Sequence, residues 1–389
     1  MNDALPDKRK IFTLSIAHLL NDWYMNYIQT LLPFLVMAGL SVSKGAFLVS
    51  AFTITSSILQ PIFGYLVDRR NQRWMVYVGT IWMAGLVSLI GLLNSYTLLI
   101  LAAALSGLGT AGFHPQASAM VSAVSGSKRG FFQAFFTAAG NIGWALTPVM
   151  VVPFVEAYGL KFTPLFIIPG VVVAILLWHA APKASAKPKS VPMPLMSVLH
   201  DSWTELIKVI IVVALRSLAY FGLIAFLPLY LQTTNVSLKV GSWLLFIMLF
   251  SGAMGGLAGG YLSDLFGRKQ VIVGSLVLAS PLLYLFLNTG GFLSYVFLAL
   301  AGAALLASFS VTVVAAQEIL SKSAAMASGL MLGFGVGIGG LGVGIVGVLA
   351  EYTGLAYAIN VLIWLPIAAG VFGLTMKGNI KHLTNAVNS

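Results

Sequence analysis

Long apolar stretches follow one another along the whole chain with only short polar breaks, and each is close to the ~20 residues a helix needs to cross a bilayer. They predict twelve membrane-spanning helices, at roughly 11–39, 45–67, 74–93, 96–124, 130–156, 162–181, 205–233, 240–263, 270–289, 292–319, 324–350 and 355–376. The least apolar interior stretch, HAAPKASAKPKSVPMPLMSVLHDSW at 179–203, is rich in Pro, Lys and Ser and falls near the middle. It reads as a linker between two halves. The expected organisation is a six-helix bundle over 1–181, a cytoplasmic linker over 182–204 and a second six-helix bundle over 205–389. The expected fold class is all-α: a polytopic membrane protein of two pseudo-symmetric bundles.

Polar residues interrupt this pattern at helical spacing. Residues three or four apart share one helix face, and span one carries His18, Asp22, Asn26 and Gln29 in that register. Span four carries Ser106, Thr110, His114, Ser118 and Ser122, and span five carries Gln133, Thr137 and Asn141. Such faces are costly toward lipid and are expected to line a water-accessible interior. The Ser and Thr members are also ordinary interhelical packing residues, so the amides Gln133 and Asn141, which need hydrogen-bond partners when buried, are the stronger substrate candidates. The second half is less polar. Arg216 lies about eleven residues into span seven with Tyr220 one turn further, and Gln317 and Glu318 lie toward the cytoplasmic end of span ten.

Composition changes the picture only by excluding alternatives. The chain is 59% hydrophobic and 8% charged, with mean hydropathy +0.96, where soluble domains are about a quarter charged. It is expected to be an integral membrane protein. A net charge of +11 would point to nucleic acid in a soluble protein, but here the cations sort by side. Only Lys44, Lys161 and Lys239 fall on one side of the twelve-span arrangement, Arg216 lies inside, and the remaining seventeen of 21 fall on the other. The positive-inside rule then places both termini in the cytoplasm, and the bilayer, with no nucleic acid, accounts for the charge. The basic cluster Lys8, Arg9, Lys10 leads into a span too long, and too polar at Asp22, for a cleaved signal peptide.

No cysteine is present, which excludes disulfides and thiolate metal sites. The run GFGVGIGGLGVG at 333–344 superficially resembles a dinucleotide loop. It lies within apolar sequence with no strand before it, so it reads as small-residue helix packing and no cofactor is expected. No metal-ligand set and no nucleophile with its base is visible, so the chain does not read as an enzyme. His114 beside Pro115 is open to a second reading as a kinked, hydrogen-bonded helix. His179, His200 and His382 sit at span ends or in polar segments and carry no functional claim.

The two halves echo each other. GYLVDRRNQRW at 64–74 aligns with GYLSDLFGRKQ at 260–270 at an offset of 196, and LLPFL at 31–35 aligns with FLPLY at 226–230 at an offset of 195. Two parallel repeats are one way secondary transporters are built. At the offset of 195, Arg216 maps onto Asn21, beside Asp22, so an acid and a base are expected at matched depth in the two halves. Gly64, Asp68, Arg69 and Arg73, with Gly260, Asp264, Arg268 and Lys269, resemble the loop signature of the major facilitator superfamily between spans two and three and between spans eight and nine. The resemblance implies a gate. The Asp would accept bonds near the positive N-terminal end of a span of the other half while the basic residues grip the cytoplasmic side, so these residues are expected to be conformational and not substrate-binding. It also implies that spans one, four, seven and ten line a central cavity.

A narrower resemblance rests on HLLND at 18–22, GFHPQAS at 112–118 and KRGFFQAFFTAAGNIGWALTP at 128–148. Together these are similar to the fosmidomycin-resistance branch, whose members are proton-driven exporters of small drugs. Two departures stand out. Ala103 occupies the place in span four where many drug antiporters of the superfamily carry an Arg, and the span-five motif here runs from Gly143 to Thr147 and Pro148 where theirs ends in Gly-Pro. An arginine-assisted proton step in span four therefore does not carry over.

A carboxylate at mid-membrane depth is costly when charged, and a nearby cation offsets that cost, so its proton occupancy can follow conformation. The expectation is that Asp22 is the main proton carrier, assisted by His18 and His114, while Asn26, Gln29, Gln133, Asn141, Arg216 and Tyr220 handle the substrate. The resemblance makes the expected function drug/proton antiport, the efflux of a small molecule by alternating access, by a functional monomer in the plasma membrane. Symport of a small organic anion or sugar is the alternative, because an anion held by Arg216 would travel with the proton that frees the arginine from Asp22. A membrane receptor that does not transport is the reading from another class.

Overall fold

The computed structural model describes residues 5–69, 72–126, 129–182, 203–320, 327 and 330–377. All regular structure among them is helical: α1 Lys8–Met25, α2 Tyr27–Met37, α3 Val42–Thr53, α4 Gln60–Arg69, α5 Trp74–Leu89, α6 Tyr96–Val124, α7 Arg129–Tyr158, α8 Ile167–Ala180, α9 Trp203–Thr233, α10 Leu238–Phe266, α11 Arg268–Asn288, α12 Gly291–Ile319, α13 Val336–Thr353 and α14 Leu355–Gly373. The chain divides into two compact units, Met1–Lys189 with Val236–Trp243 and Ser190–Asn235 with Leu244–Ser389. The linker expected over 182–204 falls almost wholly outside the described residues.

Eleven helical stretches among the described residues are long and apolar enough to cross a membrane. The first expected span is not among them, and its chemistry explains why. His18, Asp22, Asn26 and Gln29 lower its hydropathy, and it is divided at Asn26 into α1 and α2. The two pieces still form one rod, because Asn26 N–H donates to the Asp22 carbonyl at 3.3 Å and Thr30 N–H to the Asn26 carbonyl at 3.1 Å. The outward faces are those of a membrane protein. Along α8, Ile168, Val172, Ile175 and Leu176 are each about half exposed, a stripe that lipid would cover favourably.

The internal repeat runs much further than its sequence echoes. α1 starts at Lys8 and α9 at Trp203; α6 and α12 coincide at both ends; α7 ends at Tyr158 and α13 at Thr353, all 195 residues apart. The glycines just past the last pair, Gly159 and Gly354, hold φ of +81° and +89°, the left-handed turn that ends a helix at little cost only when the residue lacks a Cβ. Outside the membrane, Asp7 caps α1 by accepting from the Lys10 backbone at 3.2 Å. Hydrogen bonds from the Lys10 side chain and backbone hold its carboxyl below the usual carboxylate range.

Close helix packing rests on small residues. In the first unit Gly79 of α5 and Gly109 of α6 face each other so tightly that a Cβ on either would overlap the other's carbonyl oxygen. In the second, Gly255 and Gly259 of α10 meet the backbone at Ala303 and Ala307 of α12 in the same way. Gly79→Ala therefore forces backbone apart and is expected to cost about 1–3 kcal/mol, read as a lower Tm in thermal melts. Gly274→Ala, where a new Cβ meets nothing within 4 Å, is expected to leave Tm in place.

Ile90–Leu92 and Leu160–Phe166 are 3-10 helical, and two further turns are wider than α. Ile54–Ile58, between α3 and α4, and Leu330–Gly335, leading into α13, are π-helical. Such a turn inserts one residue and re-aims the helix beyond it. The first of them carries Gln60 to within reach of His114 on α6.

Candidate functional site

The most polar part of the interior of the first unit is where α1, α6 and α7 meet. His18 and Asp22 stand one turn apart on α1, and α6 brings His114 to them. His114 Nε2 lies 2.9 Å from Asp22 Oδ1, and His18 Nε2 lies 3.4 Å from Asp22 Oδ2. The Asp22 side chain is 14% exposed. The structure therefore places the acid inside the unit and brings all three expected proton-coupling residues together.

Backbone and neighbouring side chains decide how protons are arranged here. His18 Nδ1 is 2.7 Å from the Phe136 carbonyl of α7. A carbonyl only accepts, so Nδ1 carries the hydrogen and the neutral ring turns a lone pair on Nε2 toward Asp22. On the other side, Gln60 Nε2 is 3.4 Å from His114 Nδ1 and also donates to the Ser56 carbonyl at 2.8 Å. An amide N–H pointing at Nδ1 leaves the His114 hydrogen on Nε2, where it donates to Asp22 Oδ1. One carboxylate oxygen thus receives a proton from His114, while the other faces an acceptor. Two lone pairs opposed at 3.4 Å repel unless a proton lies between them, so the His18–Asp22 contact has a place for one exchangeable proton.

The surroundings hold these groups in place. The His18 ring stacks on Phe136 with centroids 4.0 Å apart and meets the His114 ring edge-on at 5.1 Å. Gly140 of α7 forms the wall behind the pair, since a Cβ there would overlap both Asp22 Oδ2 and the His18 ring. Next to them Thr110 donates to Asn21 Oδ1 at 2.5 Å. The three ligating atoms of His18, Asp22 and His114 lie within 4.8 Å of one another, close enough for a divalent cation. No metal-ligand set is visible in the sequence, and these are the described residues that come nearest to one. The hydrogen bonds they already make suit a proton.

The remaining polar residues of the stripes separate into different duties. Asn26 Nδ2 donates to the Trp144 carbonyl of α7 at 2.9 Å, and Thr147 of α7 donates back to the Trp23 carbonyl at 2.9 Å, so part of the stripe fastens α1 to α7. Asn26 Oδ1 and Gln29 Oε1 are buried without a hydrogen-bond partner among the described residues. Gln133 donates to Ser118 Oγ at 2.8 Å. Asn141 is exposed and lies about 100° around α7 from Gly140, off the face that meets α1.

In the second unit Arg216 occupies α9 about 20 Å from the start of a helix about 46 Å long. It is 2% exposed. Its guanidinium carbon lies 4.9 Å from the centroid of the Phe309 ring on α12, Nη2 makes a long contact of 3.4 Å to Ser217 Oγ, and Nη1 has no acceptor among the described residues. Tyr220, one turn on, is half-buried and packs edge-on against Phe221. A desolvated cation–π contact contributes about 2 kcal/mol, whereas burying an ion costs several. Phe309 alone does not offset the charge.

The gate residues are only partly visible. The side chains of Asp68 and Arg69 lie outside the described residues. Arg73 donates from Nε to the Ala181 carbonyl at 3.0 Å and from Nη2 to the Trp178 carbonyl, neutralising the negative end of α8. Arg268, 195 residues on, behaves differently. Its Nη1 is 2.5 Å from Asp264 Oδ1 and its Nε 3.3 Å from Glu318 Oε1 on α12. A Cβ added at Gly64 or Gly260 would meet only Pro115 or Ser310, at ordinary contact distance, and Lys269 is half-buried. Phe136, Gly140, Gln60, Phe309 and the pairing of Glu318 with Arg268 are not expected from the sequence. The 195-residue offset alone points to Phe309, which falls on His114.

A model of the Major Facilitator Superfamily matches residues 14–250. The fosmidomycin resistance protein of Escherichia coli K12 is 30% identical over 367 residues, covering 91% of this chain and 89% of its own. The MFS-type transporter YfnC of Bacillus subtilis 168 is 31% identical over 386 residues, covering 95% of this chain and 93% of its own. A crystal structure of a mutant of the nucleoside transporter NupG superposes with a TM-score of 0.79 at 14% identity, covering 94% of this chain and 99% of that one. That last likeness concerns the fold alone.

Proposed function

The chain belongs to the major facilitator superfamily and is a multi-pass membrane transporter of small molecules; from that premise we propose that it is a proton-coupled antiporter that exports its substrate. The observation that carries the coupling is the opposed pair of acceptors, His18 Nε2 and Asp22 Oδ2, 3.4 Å apart, buried in a transporter's first span and needing one proton to be at rest. Deprotonation sets the two lone pairs against each other and gives the site two electrostatic states. A two-state element biased by a proton is what alternating access requires. His114 steadies the carboxylate from its other oxygen, and Gln60 fixes the tautomer of His114.

Export is supported by the fosmidomycin resistance relative, which aligns over most of both chains. On this reading Gln29, Gln133, Asn26, Asn141, Arg216 and Tyr220 supply the substrate contacts, and the two motif loops, with Asp68 and Asp264, form the gate. The protein works as a monomer in the plasma membrane with both termini in the cytoplasm, as the distribution of basic residues supports. One proton crossing under 100 mV is worth about 2.3 kcal/mol, enough to hold a roughly 50-fold substrate gradient.

Reconstituted vesicles test this. With a pH-sensitive dye inside and a pH gradient imposed, addition of fosmidomycin or another candidate substrate is expected to move protons opposite to substrate. Movement of both in the same direction would establish symport instead. Substrate flux with no proton signal would remove the proposal.

A further inference from the structure

We propose that the Arg216–Phe309 locus of the second unit is an anion-binding site and that the transported molecule is a small organic anion with a carboxylate or phosphonate head. This deepens the transporter reading and rests on it, and it holds for either direction of coupling that the vesicle experiment returns, because no carboxylate pairs with the guanidinium among the described residues. The internal repeat sets the register between the two sites. At the 195-residue offset Asp22 falls on Ser217, His18 on Val213, His114 on Phe309 and Gly140 on Gly335. The local packing keeps the same register. Gly140 backs onto His18, and Gly335 backs onto Val213; His114 reaches the α1 site, and Phe309 reaches the α9 site at Arg216. The two units thus hold equivalent side-chain clusters built to one plan.

Their chemistry is opposite. In the first unit three titrating side chains, His18, Asp22 and His114, meet at the centre. In the second, the equivalent positions hold Ser217, Val213 and Phe309, and the only charge beside them among the described residues is the Arg216 guanidinium. Arginine stays cationic at any physiological pH, so this cluster cannot take part in proton exchange. It has a fixed positive charge that is 2% exposed, a flat ring on one side of it, a serine hydroxyl beside it, and an Nη1 group with no acceptor among the described residues. Ser217 Oγ at 3.4 Å is too long and too weak to satisfy a buried guanidinium. A planar or tetrahedral oxyanion can take two parallel bonds from the arginine fork and a third from the serine. A neutral sugar or a cationic drug would leave the charge uncompensated. The repeat has therefore divided the labour, with a proton site in one half and an anion site in the other.

Binding can be read on the full chain in lipid nanodiscs by calorimetry, with benzoate and phenylphosphonate as probes and benzamide as the uncharged counterpart. Both anions are expected to bind wild type at least 10-fold more tightly than benzamide. Arg216→Gln is expected to lose at least 10-fold for the anions and nothing for benzamide, and Arg216→Lys, which keeps the charge without the fork, to lose less. Equal binding of benzamide and benzoate, unchanged anion binding in Arg216→Gln, or no binding of either anion to wild type would overturn the proposal. Should Arg216→Gln fail to fold, the wild-type preference and the Arg216→Lys loss decide it. Proton-driven flux in Asp22→Asn tests the coupling proposal, and anion binding to wild type tests this one. If that variant loses proton-driven flux while no anion binds wild type, the anion site fails and the coupling stands; anion binding with coupling intact in Asp22→Asn gives the converse.

Discussion

Asp22→Asn is expected to leave a folded protein that still exchanges substrate across the membrane and no longer responds to a proton gradient. The geometry gives the reason. An asparagine oxygen in place of Oδ1 still accepts from His114 Nε2, 2.9 Å away. An amide N–H in place of Oδ2 donates to the lone pair of His18 Nε2, 3.4 Å away. The amide therefore reproduces the protonated acid permanently, with no acceptor opposed to an acceptor and no buried group stripped of its partner. That is why stability is preserved where removal of a buried charge usually destabilises. Without a second charge state the site cannot exchange energy with the proton gradient. A concentration ratio of roughly 50-fold sustained by one proton under 100 mV should fall to unity. Counterflow of labelled substrate in vesicles, which needs no driving force, should persist. Accumulation driven by a pH gradient in this variant at the wild-type level would show that Asp22 does not carry the proton.

Much of this arrangement is legible in the sequence, and what is not has identifiable causes. The apolar stretches and the i,i+4 His18–Asp22 pair are local patterns and reappear in the fold, as eleven spanning helical stretches among the described residues with α1 and α2 as the first expected span, and as a contact of 3.4 Å. His114 joins them in the sequence only through its place on a polar face of another span. The Phe136 carbonyl that orients His18 is a backbone group, and backbone acceptors leave no trace in residue identity. Gly140 is one of 40 glycines, and nothing local distinguishes the one that faces the acid. Gln60 comes after a π-helical turn, which breaks the 3.6-residue spacing by which a polar stripe is recognised. Spacing groups Asn141 with Gln133, but at 100° per residue eight residues drift about 80°, enough to carry the asparagine off the face that meets α1. Asn26 reads as a substrate contact, and its Oδ1 is the atom left for one, since its amide N–H is spent on the Trp144 carbonyl. Buried amides in a membrane serve helix packing as readily as binding. In the second half Arg216 is visible as a lone charge; its partner Phe309 is not, because an aromatic residue in an apolar span carries no signal until the repeat register is known.

The repeat itself supplies the second large expected effect, and with it a control. Gly140→Ala and Gly335→Ala are the same change at equivalent places. In each a new Cβ overlaps side-chain atoms, those of Asp22 and His18 at 140 and those of Val213 at 335, and overpacking of this kind costs about 1–3 kcal/mol. Both variants should therefore melt at lower temperature by similar amounts. Their effects on transport should differ in kind. At 140 the methyl group displaces Asp22 Oδ2 and the His18 ring, parting the two acceptors that share a proton. The carboxylate then keeps only the His114 bond, holds its proton less firmly, and needs a more acid medium for the same rate. At 335 the methyl group meets Val213, which has no proton to lose. Flux measured against pH should therefore shift toward acid in Gly140→Ala and keep the wild-type shape in Gly335→Ala, whatever its amplitude. A shift of equal size in both variants would mean that helix spacing in general sets the pH response, and would take the assignment away from the His18–Asp22 contact. A shift at 140 alone ties proton sensing to one contact about 3.4 Å long, in the half of the molecule where the repeat has kept its titrating side chains.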